Sequence, residues 1–199
     1  MSSNAEIQAA RLPKRERGKQ RVAALLQAAG DVFGEKGYEA ATMTEIAASA
    51  GAAIGSLYRF FPTKEALADA LVARYGESLL DAFADIEARA AALSPDGLAE
   101  ALIGVTQSLQ PSRSVAIALA EMSRDEQRRS TLRGAVRAAI AAILIKTAPA
   151  LPPDDLHAAA TLTQHLLKFV RALPSEGADA DERLALQGRA LVARYLAGL

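Results

Sequence analysis

The sequence predicts an all-α fold of about nine helices, and three observations carry that prediction. Apolar residues recur three and four apart along much of the chain, as in Val22, Leu25, Leu26, Ala29, Val32 and Phe33. Ala and Leu, which favour helix, supply much of the 51% apolar fraction. No strand is evident, and there is no internal repeat.

Residues 1–18 lack apolar periodicity and contain Pro13 and Gly18, which predicts a mobile basic arm. The first helix starts at Lys19, follows the stripe above and stops at Gly37, where a left-handed residue costs least. Thr42-Met43-Thr44-Glu45 reads as a capping box that opens a short second helix with Ile46, Ala47 and Ala50 inward. Gly51 ends it, and a third short helix spans residues 53–60. Two short helices joined by a Gly turn make a helix-turn-helix. Phe61-Pro62 then breaks the chain, and Thr63 caps a fourth helix through Ala66, Leu67, Ala70, Leu71 and Arg74. Residues 77–93 either continue that helix or follow it after a kink at Gly76.

Ser94-Pro95, an N-cap followed by Pro at the first position, opens a helix to residue 110. After Pro111, Ser112 or Ser114 starts another over residues 115–122. Asp125 opens a long helix to Thr147, with Leu132, Val136, Ile140, Ile143 and Leu144 on its apolar side. Pro149, Pro152 and Pro153 mark a loop, and residues 154–173 and 181–199 form the last two helices.

The 199 residues suffice for one large or two small domains. There is no Cys, which excludes disulfides and thiolate metal sites and suits a reducing cytoplasm. The polar start is unlike a signal peptide. The longest uncharged apolar run, residues 138–145, is far short of the roughly 20 residues of a membrane span. These features predict a soluble cytoplasmic protein. Net charge is zero, yet Arg11, Lys14, Arg15, Arg17, Lys19 and Arg21 stand against Glu16 alone. Such a cluster is either a solvated tail or an arm laid along phosphates.

The stretch TMTEIAASAGAAIGSLYRFFPTKEALADAL, residues 42–71, resembles the DNA-binding region of the tetracycline-repressor (TetR) family of bacterial transcriptional regulators. The resemblance rests on Gly37-Tyr38, Thr42, Ile46-Ala47, Ala50-Gly51, Gly55, Leu57-Tyr58, Phe61, Lys64-Glu65 and Leu67 at that family's spacing. It covers residues 19–75 and implies a three-helix DNA-binding domain there, behind the arm of residues 1–18. The residue types suit that task on their own terms. A helix pressed into a major groove needs close approach to base edges. Gly55 lacks a Cβ, and Ser56 can donate to a phosphate or a base. Arg59 reaches a guanine or a phosphate, and Tyr58 either sets its hydroxyl against a phosphate or is half-buried core.

Ala53 and Ile54 offer apolar contact to thymine methyls. Leu57 and Phe61 face a small core with Phe33, Ile46 and Leu67. Lys64 and the amides behind Thr42 and Thr63 stand at helix N-termini, where phosphate oxygens sit well. With Arg17, Lys19 and Thr44 these residues complete the implied DNA-contacting set. The sequence departs from the family at Ala52-Ala53, where many members carry Val-Ser, and at Ile54, where a polar residue is common. The reading helix is therefore poor in hydrogen-bonding side chains.

For residues 76–199 the resemblance extends only to length and helical layout, and it implies an effector-binding and dimerisation domain. Phe83, Thr106, Met122, His165 and Phe169 are the candidate pocket residues, as polar or adaptable groups expected on inward faces. Leu156, Ala159, Thr163, Leu166 and Val170 form one stripe, and Leu184, Leu191 and Tyr195 a second with Gly188 between. Both stripes serve a four-helix homodimer interface or pack within the monomer. Paired carboxylates such as Asp154-Asp155 fall at helix starts, where capping explains them. His157 and His165 have no third His and no Cys to complete a metal site. No catalytic constellation, cofactor or metal is expected. The implied function is a repressor that binds a palindromic operator as a homodimer and is released by a small-molecule effector. The alternative is a helical interaction module or helical enzyme that keeps the helix-turn-helix as scaffold.

Overall fold

The computed structural model describes residues 16–109, 115–116, 119, 126–173 and 178–199. Among these residues all regular structure is helical. The elements are α1 (Glu16–Ala40), α2 (Met43–Ser49), α3 (Ile54–Phe60), α4 (Lys64–Arg89), a 3-10 turn (Ala90–Ala92), α5 (Pro95–Ser108), α6 (Glu126–Thr147), α7 (Pro153–Arg171) and α8 (Ala178–Ala197). The expected helix over 115–122 lies mostly outside the described residues, though Val115, Ala116 and Leu119 are helical. The arm up to residue 15 also lies outside them. The chain divides into two compact units, residues 1–75 with 111–124 and residues 76–110 with 125–199.

In the first unit the apolar stripe of α1 buries Val22, Leu25, Leu26, Ala28, Ala29, Val32 and Phe33. α1 starts at Glu16, three residues before the expected Lys19, with an acidic side chain in its first turn, where the helix dipole favours one. Gly37 breaks the helical path at φ 78°, ψ 161°, a region open essentially to glycine, and a short turn reaches Ala40. The capping box of α2 is complete: the Thr42 hydroxyl accepts from the Glu45 amide, and the Thr42 amide donates to the Glu45 carboxylate. Gly51 turns the chain at φ +57°. Leu57 and Phe61 join Phe33, Ile46 and Leu67 in the core as expected, and Phe60 is buried with them. Leu119 belongs to this core too, so an apolar side chain far along the sequence completes the first unit.

In the second unit Phe83 and Ile86 of α4 pack with Leu98, Ala99 and Leu102 of α5 and with Val136, Ile140, Ile143 and Leu144 of α6. α5 lies mainly along α8, and α6 along α7. α4 is one helix through Gly76, not two. A Cβ at Gly76 would stand 3.3 Å from Leu132 Cδ1, so this glycine makes room for a neighbour, where a kink was one expectation. The Ser94 hydroxyl accepts from the Gly97 amide and caps α5. α8 begins at residue 178, three residues before expectation.

Candidate nucleic-acid interface

α3 lies between the Gly51 turn and Phe61-Pro62 and is anchored by Leu57 and Phe60, each buried. The rest of the segment faces out: Ala53, Gly55 and Arg59 are exposed, as are Ile54 and Tyr58 at 39% and 49%. Tyr58 is thereby placed on the outer face and not in the core. Ser56 is half-buried. The Arg59 guanidinium carbon lies 4.8 Å from the Phe60 ring centroid, which settles the stem while leaving the side chain exposed. Gly55 does not have positive φ, and a Cβ built on it meets nothing within 4 Å. Neither backbone conformation nor internal packing requires a glycine there.

Around α3 the supporting groups are held by local bonds. Arg21 Nη1 donates to Gly51 O at 3.4 Å, tying α1 to the turn before α3. Lys36 Nζ pairs with Glu45 Oε1 at 2.6 Å, and this bond, with those from Thr42, draws the Glu45 carboxyl down to about 2. The Thr63 hydroxyl accepts from the Ala66 amide at 3.1 Å and so caps α4. Burial first, then the nearby Glu65 carboxylate, pushes the Tyr38 phenol up to about 12.

The sequence-predicted DNA contacts divide accordingly. Arg17, Lys19 and Thr44 are exposed, Lys19 with a partner in Glu16 at 3.5 Å. Thr42 and Thr63 are exposed, with hydroxyls that serve as helix caps. Lys64 is half-buried. Its ammonium donates to Tyr38 O, Glu39 O and Ala41 O at 2.8, 3.2 and 3.1 Å and sits 4.5 Å from the Tyr38 ring centroid. Sequence reasoning placed this residue at the N-terminus of α4 but had no signal for the α1 carbonyls beside it.

The second unit corrects part of the pocket set. Phe83 is buried in the core, and the half-buried Thr106 donates its hydroxyl to Ile103 O at 2.7 Å. His165 and Phe169 do not face inward: His165 is exposed and Phe169 is 56% exposed. At 100° per residue they fall on the far side of α7 from the inward Thr163 and Leu167. Met122 lies outside the described residues.

The proposed dimer stripes also separate. Thr163 and Gly188 are buried within the chain, and Leu156, Leu166, Val170 and Tyr195 pack partly against its own core. Leu184 is half-buried, and Leu191 is exposed at 42%. The apolar side chains left open on the last two helices are Leu162, Phe169, Leu186 and Leu191. The more regular stripe of α7 is used inside the chain, because a continuous apolar row first satisfies the core it lies on.

Residues 25–71 match the family model described as bacterial regulatory proteins, tetR family. No curated protein matches the chain. A proposed TetR-family transcriptional regulator from Mesorhizobium loti MAFF303099 aligns at TM-score 0.70 and 23% identity, over 92% of this chain and 98% of that one. A tetR-family regulatory protein from Rhodococcus RHA1 aligns at TM-score 0.66 and 25% identity, over 89% and 97%. A gamma-butyrolactone receptor (ArpA like protein) aligns at TM-score 0.56 and 22% identity, over 92% and 100%. Residues 25–71, which hold the helix-turn-helix, thus match the tetR family of bacterial regulatory proteins, and the all-helical fold of the chain is the one these solved structures share.

Proposed function

We propose that the chain is a homodimeric transcriptional repressor that reads a palindromic operator with α3 and is released by a small-molecule effector. The outward face of α3 carries this reading. It presents Ala53, Ile54, Gly55, Tyr58 and Arg59, and its glycine has no task in the fold. A face without a Cβ at its centre lets a phosphate or base edge come close. Arg59 supplies the main base-reading hydrogen bonds, Ser56 assists, and Ala53 and Ile54 meet thymine methyls. Tyr58, Arg17, Lys19, Thr44, Thr42 and Thr63 hold the backbone.

The dimer forms through the open faces of α7 and α8, where Leu162, Phe169, Leu186 and Leu191 remain uncovered. Two-fold symmetry then sets two α3 helices roughly 34–36 Å apart, one turn of duplex. The effector binds the second unit, whose apolar interior suits a small, mostly apolar molecule. To move the population from 1:99 to 99:1 it must prefer the released state about 10⁴-fold. The protein acts in the cytoplasm, at the nucleoid when bound to DNA.

Selection from random duplexes tests the reading. A palindromic consensus, with affinity falling steeply with salt, is the expected result. No sequence preference would leave a helical module or enzyme with a helix-turn-helix scaffold. Arg59→Ala should relax preference at one base position by about 1–3 kcal/mol of discrimination. Uniform weakening on all sequences would make it a phosphate contact.

A further inference from the structure

We propose that Lys64 is a positioning residue of the DNA-reading unit: it fixes the joint between α1 and α2 by capping α1, and touches no phosphate itself. An ammonium has three N–H donors. Here three carbonyl oxygens, of Tyr38, Glu39 and Ala41, lie within 2.8–3.2 Å of Nζ, so its donors are taken up within the chain. The carbonyls at the end of a helix lack intrahelical donors and carry its negative dipole, which favours a cation. The Tyr38 ring closes one side, with the Glu65 carboxylate near the Tyr38 phenol.

The joint needs such a tie. Gly37 breaks α1 at φ 78°, and residue 41 is the last before the N-cap of α2. Lys64 therefore links the first turn of α4 to the backbone that leads into α2 and α3. Arg74 repeats the grip farther along α4, donating to Ala23 O of α1 at 3.1 Å. α1 and the first turns of α4 then move as one piece.

The functional half of this proposal rests on the DNA-binding reading above, whereas the capping half does not. Lysine acetylation of the unmodified, DNA-free chain, read residue by residue by mass spectrometry, tests the cap. Lys64 should react at least about tenfold more slowly than the exposed Lys19. Equal reactivity would overturn the proposal, whether or not the chain binds DNA. Operator titrations of Lys64→Met and Lys64→Arg test the functional half.

Both variants should lose affinity by the same factor, on the order of tenfold for a lost charge-assisted bond, with the salt slope unchanged. A planar guanidinium does not replace an ammonium among three carbonyls, whereas it serves a phosphate well. Wild-type binding by Lys64→Arg, with a slope shallower by about one in Lys64→Met, would make Lys64 a phosphate contact and overturn the proposal. Failure of the unmodified chain to prefer any duplex would sink the DNA reading alone, with the acetylation result still deciding the cap.

Discussion

Replacing Gly188 by Ala should destabilise the protein, although the same change in most helix interiors stabilises. A Cβ at Gly188 would stand 2.8 Å from Val170 Cγ1, 3.2 Å from Val170 Cγ2 and 3.6 Å from Leu173 Cδ1. Valine in a helix is stiff about χ1, so neither methyl can swing away without leaving its preferred rotamer. Overpacking of this kind costs about 1–3 kcal/mol. The helix propensity gained on going from Gly to Ala returns about 1 kcal/mol. The net expectation is a loss of about 0–2 kcal/mol.

Gly134→Ala in α6 and Gly104→Ala in α5 supply the comparison, because a Cβ at either meets nothing within 4 Å. Those two should gain up to about 1 kcal/mol. Urea unfolding followed by helical circular dichroism, at one fixed protomer concentration, gives each midpoint. In the Val170→Ala background the cost of Gly188→Ala should vanish, a coupling of about 1–3 kcal/mol. A Gly188→Ala midpoint as high as that of Gly134→Ala, or no coupling to Val170, would refute the reasoning.

Three further outcomes are expected. Gly37→Ala should cost about 1–3 kcal/mol in unfolding experiments, all of it backbone strain at φ 78°, since no atom lies within 4 Å of the new Cβ. Glu45, held at about 2 by Lys36 and then Thr42, contributes stability that is full above its ordinary 4.5 and is lost as pH falls through 2. The stability difference between the unmodified chain and Glu45→Gln should therefore close over that window and stay flat at neutral pH. Phe169→Glu with Leu162→Glu should convert the proposed homodimer to monomer in sedimentation while leaving helicity intact. Loss of helicity in step with dimer loss would show that those side chains serve the fold.

Local chemistry was legible in the sequence, and choice of partner was not. Thr42 and Glu45 are three residues apart, so the capping box forms wherever the helix forms, and it was readable from four letters. Gly37 and Gly51 announced their positive φ because few other residues tolerate it. In contrast, a 3.6-residue period reports that a stripe is apolar without saying what covers it. The Leu156-to-Val170 stripe looked like a dimer face and packs largely inside the chain, while the irregular Leu162 and Phe169 stand open. His165 and Phe169 were assigned inward from residue type alone, which carries no angular information. Lys64 shows the same limit: its position was right, and the carbonyls that engage it lie 23 to 26 residues away in sequence.

The exposed face of α3 has a consequence for how such a protein changes. Leu57 and Phe60 hold the helix in place, while Ala53, Ile54 and Gly55 are exposed and Arg59 meets the core only at the Phe60 ring. The outer face and the scaffold are thus written in separate letters of one eight-residue word, residues 53–60. On the proposed DNA-reading role, substitutions at the outer letters would retarget the molecule to a new site at little cost to folding. Duplicated copies of this chain could diverge in their targets long before they diverge in architecture.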